Sequence, residues 1–197
     1  MIRTVVYLHG FLSSPMAKKA LVLAKALESR GLTLYAPDLT MSPDEVAQCL
    51  SHWAQGRDMS QVAVVGASLG GFYAAWFASR YPIRSVLLNP ATRPWEILSR
   101  YVGVQRLYDS DRTFDVKAEF GAMLNRMDAS IPVSDEKRLV IVTTGDAVVD
   151  YRQTLERFPG NRCHVVEGSD HGISDFATMV DDVVDFATGG DYKPLAR

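Results

Sequence analysis

Short runs of apolar, mostly β-branched residues recur along the chain, separated by longer segments whose apolar residues recur at helical spacing. This alternation is typical of a parallel β-sheet that is covered by helices on both faces. It predicts six strands, at residues 4–8, 33–36, 61–66, 85–89, 139–143 and 164–167. Helices are predicted at residues 16–29, 42–54, 69–81, 151–158 and 173–187. We therefore expect an α/β fold.

One long segment interrupts the alternation, because residues 90–135 separate the fourth and fifth strands where a crossover needs far fewer residues. Within it, helical fragments are predicted at residues 95–101 and 116–127, with the polar string 109–113 between them. Long insertions in compact domains usually serve function. We interpret this insertion as a small cap or lid. Residues 1–197 are expected to form a single domain, and the tail after Gly190 is expected to fray.

Composition excludes several classes of partner and site. The chain has 21 basic and 23 acidic residues, a formal net charge of -2 and no dense basic stripe, which argues against binding to nucleic acid. Cys49 and Cys163 lack the spacing of a zinc or redox motif, so we expect no metal site. No run approaches the roughly 18 apolar residues of a membrane span, and the amino terminus does not resemble a signal peptide. We expect a cytoplasmic protein without a membrane span.

The third predicted strand runs into Gly66-Ala67-Ser68-Leu69-Gly70 and then directly into a predicted helix. A strand, a G-x-S-x-G pentapeptide and a helix in this order are typical of a nucleophile elbow. The turn is so tight that the residues two positions before and after the serine must be small, as Gly66 and Gly70 are. A phosphate-binding loop would need a lysine here, and a dinucleotide fingerprint would need glycine at position 68. We predict that Ser68 is a nucleophile.

A serine hydroxyl needs a neighbouring base. His171 lies in the loop after the last predicted strand, where the base of a nucleophile-elbow protein is found, whereas His52 and His164 are interpreted as ordinary residues. The acid should follow the fifth strand, and Asp146 is the candidate. Asp150 remains the alternative, although the glutamine three residues after it indicates a helix cap.

The turn after the first strand, in Leu8-His9-Gly10-Phe11, is a candidate source of oxyanion donors. Backbone N–H groups of Phe11 and of Leu69, at the helix start, are expected to hold an oxyanion that forms beside Ser68. His9 competes with His171 for the role of base. We assign His9 a structural role, with its ring bonded to nearby loop backbone.

These motifs resemble those of the α/β-hydrolase superfamily, and more closely those of the small bacterial esterases of the YqiA type. The resemblance covers nearly the whole chain and is carried by YLHGF at 7–11, SSP at 13–15, GASLGG at 66–71, NPA at 89–91, RP at 93–94, TGD at 144–146, DYRQ at 150–153 and EGSDH at 167–171. It implies an α/β-hydrolase fold with strands in the spatial order second, first, third, fourth, fifth, sixth. It also implies hydrolysis of small carboxylic esters or acyl thioesters without a cofactor. An acyl-CoA thioesterase and a catalytically silent, binding-only hydrolase fold remain as alternatives.

The insertion is expected to form one wall of the acyl pocket. Its candidate lining residues are Trp95, Ile97, Leu98, Tyr101 and Leu107, which could equally form the buried face of a helix packed on the sheet. Arg93, just after the fourth strand, is a candidate for contact with a charged substrate group or for an ion pair with an acidic neighbour.

Overall fold

The sheet that carries the site is visible in the computed structural model, which describes residues 1–192. The strands in that range are β1 (Thr4–Leu8), β2 (Thr33–Tyr35), β3 (Val62–Ala67), β4 (Arg84–Leu88), β5 (Gly103–Arg106), β6 (Thr113–Val116), β7 (Arg138–Thr143) and β8 (Arg162–Val166). Six of them form one sheet in the order β2-β1-β3-β4-β7-β8, and every neighbouring pair is parallel. The predicted α/β fold, the six strands of this sheet and their order are confirmed, whereas β5 and β6 were not predicted.

Helices connect the strands and cover both faces of the sheet. They are α1 (Lys18–Glu28), α2 (Pro43–Ala54), α3 (Leu69–Arg80), α4 (Pro94–Leu98), α5 (Phe120–Asp128), α6 (Tyr151–Arg157) and α7 (Val180–Ala187). The start of α2 follows from local chemistry, because Ser42 and Glu45 form a reciprocal capping box and Pro43 occupies the first turn.

Alternate strand residues pack into two separate apolar layers. In β1, Val5 and Tyr7 pack with α1 and α7 on one face, while Val6 and Leu8 pack with α2 and α3 on the other. All residues of β3 and β7 are buried, which explains why these strands read as continuous apolar runs. Each large side chain buried in this way contributes about 1.5–3 kcal/mol to folding.

The insertion between β4 and β7 differs from the sequence prediction. Strands β5 and β6 form an antiparallel hairpin, and the polar string 109–113 lies at its turn, ending in the first residue of β6. Val116, expected to begin a helix, ends β6, and α5 begins only at Phe120. The hairpin was missed because its strands are four residues long and only half buried. At the carboxyl terminus, a 3-10 turn at Phe176–Thr178 replaces the first part of the helix predicted at 173–187.

The tail expected to fray after Gly190 falls largely on residues 193–197, which lie outside the described residues. Of the two tail residues within the described range, Tyr192 is buried against the core layer that contains α7. Across residues 1–192, no helix has the length and apolar character needed to cross a bilayer.

Candidate active site

Ser68 lies on a tight turn between β3 and α3, at the carboxyl edge of the sheet. Its backbone has φ 54° and ψ -121°, a conformation that residues with a side chain rarely adopt. A Cβ on Gly66 would lie 2.1 Å from the Gly70 carbonyl oxygen, and one on Gly70 would lie 2.0 Å from the Leu8 carbonyl oxygen. The close approach of strand and helix therefore requires glycine at both positions, as the sequence predicted.

Ser68, His171 and Asp146 form one hydrogen-bonded chain. His171 Nε2 lies 3.0 Å from Ser68 Oγ, and His171 Nδ1 lies 2.7 Å from Asp146 Oδ2. The three residues follow β3, β7 and β8, and the carboxyl ends of parallel strands meet at the same edge of the sheet. The structure thus brings together the three residues that the sequence singled out.

The Asp146 carboxylate is buried, and backbone donors fix its orientation. Its side chain is 1% exposed, and Oδ1 accepts hydrogen bonds from the N–H groups of Val148 (2.7 Å) and Val149 (2.8 Å). Oδ2 is therefore left for the ring of His171. Because an ionised carboxylate only accepts, His171 Nδ1 carries the ring proton and Nε2 presents a lone pair to the Ser68 hydroxyl.

The other carboxylates near this loop bond elsewhere. Asp150 is the N-cap residue of α6, as its sequence context indicated, and accepts the Arg152 N–H at 3.0 Å. The Asp170 carboxylate accepts hydrogen bonds from the N–H (2.9 Å) and hydroxyl (2.6 Å) of Ser174. Asp146 is the carboxylate that bonds to the His171 ring.

The turn after β1 brings backbone donors close to the serine. Phe11 and Leu69 both line the cavity beside Ser68, and neither backbone N–H has a hydrogen-bond acceptor among residues 1–192. Gly10 permits the approach, since a Cβ there would lie 3.3 Å from Ser68 Cβ. An oxyanion hole requires unpaired backbone N–H groups of this kind.

His9 is buried under this turn and bonds to backbone rather than to Ser68. Its Nδ1 donates to the Gly10 carbonyl at 2.9 Å, and its Nε2 accepts the Leu39 N–H at 2.9 Å. This arrangement requires a neutral ring, and burial lowers the pKa of His9 from its ordinary value of 6.5. The ring thus ties the turn to the segment after β2, as expected.

A cavity of about 440 Å³ opens beside Ser68 and has two walls. One wall comes from the insertion and the neighbouring loops, and consists of Phe11, Pro94, Ile97, Leu98, Tyr101, Tyr108 and Val148. The other comes from α1 and the segment after His171, and consists of Ala17, Lys18, Lys19, Val22, Gly172, Ile173, Ser174, Phe176 and Ala177. Most of the lining is apolar, so the cavity suits a hydrocarbon or aromatic group next to the reacting atoms.

Only some of the candidate pocket residues of the insertion line the cavity. Tyr101 lines the cavity, together with Ile97 and Leu98. Trp95 does not line it, because its side chain packs into the core near Gly121, and Leu107 is likewise outside it and buried. Arg93 lies in a separate polar cleft and forms an ion pair with Glu96 at 3.4 Å. Of the two roles that the sequence suggested for Arg93, the structure shows the ion pair with an acidic neighbour.

Sequence reasoning missed the two lysines in the cavity wall. Lys19 donates to the Gly172 carbonyl and Lys18 to the Ser174 carbonyl at 3.4 Å. Neither forms a salt bridge with a carboxylate of residues 1–192. Burial lowers the pKa of Lys19. The sequence places both lysines shortly after the Ser13-Ser14-Pro15 motif, and this position was the only available hint that they lie near the site. The contact between α1 and the site depends on tertiary structure, which the sequence pattern does not show.

Comparisons with known proteins bear on the family and the fold of the chain. The sequence profile described as "Uncharacterised protein family (UPF0227)" matches residues 4–188. Est1E from Butyrivibrio proteoclasticus is similar in structure, with a TM-score of 0.69 at 14% identity over 93% of this chain and 85% of that one. An esterase domain from Rhodothermus marinus gives a TM-score of 0.66 at 18% identity over 92% and 84% of the two chains. Mouse alpha/beta hydrolase domain-containing protein 10 gives 0.65 at 17% identity over 92% and 89%. At these identities the structural likeness establishes the fold, and the predicted α/β-hydrolase fold is confirmed.

Proposed function

Because the chain belongs to the uncharacterised protein family UPF0227, which is YqiA-like, and has an α/β-hydrolase fold, we propose that it is a serine esterase. The observation that carries this proposal is the hydrogen-bonded chain from Ser68 Oγ through His171 to Asp146, with distances of 3.0 Å and 2.7 Å. When one ring nitrogen of a histidine is hydrogen-bonded to a serine hydroxyl and the other to a buried carboxylate, the histidine can activate that serine as a nucleophile.

In the first half of the reaction, Ser68 Oγ attacks the carbonyl carbon of the ester while its proton passes to His171 Nε2. The carbonyl oxygen becomes an oxyanion, which the N–H groups of Phe11 and Leu69 stabilise. Asp146 stabilises the imidazolium ion that forms. Collapse of the tetrahedral intermediate breaks the ester C–O bond, and the alcohol leaves with the proton from His171.

In the second half, water attacks the acyl-enzyme and gives its proton to His171. The second tetrahedral intermediate collapses, Ser68 recovers its proton, and the carboxylic acid leaves. Each step uses groups that lie within hydrogen-bonding distance of one another or line the cavity. No cofactor takes part in this scheme.

The experiment that tests the proposal is covalent labelling by a fluorophosphonate, combined with hydrolysis of a 4-nitrophenyl ester. We expect labelling at Ser68, and Ser68→Ala should abolish labelling and lower kcat by roughly 10⁵–10⁶. Ser13→Ala is the matched control, because Ser13 also lines the cavity but has no histidine partner, and this variant should still be labelled. Absence of labelling and hydrolysis in the native chain would favour the binding-only alternative.

The two lysines of the cavity wall favour a second candidate, a thioesterase for acyl groups on an anionic carrier such as coenzyme A. Lys18 and Lys19 bring two positive charges to one wall, and neither forms a salt bridge within residues 1–192, although the Asp170 carboxylate attracts Lys19. A carrier phosphate would bind favourably to this pair of positive charges.

Matched substrates separate the two candidates. An acyl-CoA and a neutral 4-nitrophenyl ester of the same acyl chain should be compared at low and high salt. A thioesterase should show a lower KM for the acyl-CoA than for the ester, and high salt should remove this difference. Lys18→Met should raise the KM for the acyl-CoA about 1.5-fold to fivefold, as for the loss of one exposed charge pair. Lys25→Met, on the exposed last turn of α1, is the control. Equal KM changes for both substrates would leave the oxygen esterase as the better assignment.

A further inference from the structure

Asn89 is a buried polar residue directly after β4, and the triad does not use it. It is 2% exposed, and its backbone has a φ of 41°, in the left-handed region that asparagine tolerates better than most residues. A buried amide is costly unless its hydrogen bonds are satisfied. The partners of the Asn89 side chain therefore indicate what this residue does.

The side chain of Asn89 connects β4 with β7 and with the backbone of the loop after β8, which contains His171. Its Oδ1 accepts the Thr143 N–H at 2.9 Å. Its Nδ2 donates to Thr143 Oγ1 at 3.0 Å and to the carbonyl oxygens of Asp170 and His171, both at 3.2 Å. The Thr143 hydroxyl in turn donates to the Asp170 carbonyl at 3.0 Å. The Thr143 N–H can only donate, so the Asn89 atom that it contacts must be the oxygen, Oδ1. Nδ2 is therefore directed at the carbonyl oxygens of Asp170 and His171.

The same short segment also holds the backbone of the serine. The Ser68 N–H donates to the Leu88 carbonyl at 2.9 Å, and the Ala91 N–H donates to the Ser68 carbonyl at 3.0 Å. Residues 88–91 thus fix Ser68 by backbone bonds, and Asn89 within that segment holds the main chain of His171. The distance between the Ser68 hydroxyl and the His171 ring therefore depends on the backbone bonds of Ser68 and on the bonds from Asn89 to the loop of His171.

We propose that Asn89 and Thr143 are positioning residues that hold the His171 backbone, and so set the geometry between its ring and Ser68. This inference rests on the proposed function, since it assigns how the base of that reaction is oriented. Neither side chain lines the cavity, so they act on the reaction through the backbone that they hold and not through contact with substrate. Misplacing a catalytic group by about 1 Å lowers the rate by about a hundredfold.

The test separates the hydrogen bonds of Thr143 and Asn89 from the space that their side chains fill. Thr143→Val removes the hydroxyl, Thr143→Ser keeps it, and Asn89→Asp replaces the donating amide with an oxygen that faces two carbonyl oxygens. Thr154→Val is the matched control, because Thr154 is also fully buried but its hydroxyl has no hydrogen-bond partner among residues 1–192. Active sites are counted by fluorophosphonate titration, and kcat and KM are measured on a neutral 4-nitrophenyl ester.

We expect Thr143→Val and Asn89→Asp to lower kcat per active site about tenfold to a hundredfold, with KM unchanged. Thr143→Ser should recover most of the rate, and Thr154→Val should match the native chain. Hydrogen–deuterium exchange should be faster at residues 167–174 in Thr143→Val but not in Thr154→Val.

A purely structural role would reduce the melting temperature or the number of active sites while kcat per site stays at the native value, and that result would overturn the proposal. An equal loss of kcat in Thr154→Val would overturn it as well. If the native chain neither labels nor hydrolyses the ester, the proposed function fails. The exchange comparison then decides whether Asn89 and Thr143 hold this loop, and unchanged exchange in Thr143→Val contradicts the inference.

Discussion

Asp146 and Asp150 are four residues apart in one loop, yet they bond to different kinds of partner. Asp146 holds the ring of His171, and Asp150 caps α6. We expect Asp146→Asn to lower kcat by up to about 10⁴, because the ring loses both its tautomer and its counter-charge. The free energy of unfolding should change little, since an amide oxygen can still accept from Val148 and Val149. Steady-state kinetics and urea unfolding measure the two effects.

Asp150→Ala should show the opposite pattern. Loss of the N-cap side chain should lower the free energy of unfolding by about 0.5–2 kcal/mol, with a smaller change in kcat. The two variants are best measured side by side on the same ester. A collapse of kcat in Asp150→Ala, together with an active Asp146→Asn, would mean that the wrong carboxylate has been assigned.

The buried ring of His9 predicts an acid-sensitive turn. Its pKa is lowered in the folded chain, mainly by burial, so between that lower value and about 6.5 the unfolded chain binds more protons. Its contribution to stability is therefore complete above about pH 6.5 and is lost as the pH falls below it, by at most about 1.4 kcal/mol per pH unit. His9→Gln should flatten this part of the stability profile in urea unfolding.

His52→Gln is the control for that measurement, because His52 is exposed on α2. The pH profile of this variant should follow that of the native chain. If His9→Gln retained the full loss of stability between pH 6.5 and pH 5, the neutral, doubly bonded ring described here would be incorrect.

At the scale of the elements, the contact between α3 and β1 depends on the absence of a side chain at Gly70. A Cβ there would lie 2.0 Å from the Leu8 carbonyl oxygen, which is backbone and cannot rotate away. Gly70→Ala should therefore lower the free energy of unfolding by at least about 2 kcal/mol, as in other overpacked cores. Activity should fall with it, because Ser68 is the N-cap residue of the same helix.

Gly121→Ala, in the first turn of α5, is the matched control. A Cβ at Gly121 would meet Trp95 Cβ at 3.6 Å, an ordinary contact, and alanine is a better helix former than glycine. We expect unchanged or slightly higher stability in thermal unfolding. Equal destabilisation by the two substitutions would show that the contact at Gly70 is not special.

At the scale of the whole molecule, we propose that the insertion between β4 and β7 is a cap whose cavity-facing side selects the substrate. Tyr101 lines the cavity beside Ser68 and packs edge-on against Phe11, with ring centroids 5.4 Å apart. Tyr101→Ala should change the ratio of kcat/KM for short and long acyl chains by about tenfold, with little loss of stability.

Trp95→Ala tests the opposite side of the insertion, which faces the core. It should lower the free energy of unfolding by about 2–3 kcal/mol and leave the chain-length ratio unchanged, because Trp95 lies outside the cavity. A shift in the ratio for Trp95→Ala, without one for Tyr101→Ala, would reverse the assignment of the two faces.

The sequence by itself determined the features that depend on local chemistry. Strands buried on both faces read as continuous apolar runs, which predicted the sheet and, with the recognised motifs, its strand order. The elbow around Ser68 follows from two glycines at fixed spacing, and the cap at Asp150 from the residues beside it. Because the carboxyl ends of parallel strands meet at one edge, sequence position also predicted which loops would bring Asp146 and His171 to Ser68.

Only the tertiary structure decided the features that depend on contacts between distant segments. Whether Trp95 or Tyr101 faces the cavity is set by how α4 packs on α5, and the half-buried hairpin of β5 and β6 has no strong local signal. The lysines of α1 reach the site because that helix packs near the loop after β8. Asn89 reads as the end of a strand, and its role appears only when its amide meets the His171 carbonyl 82 residues away.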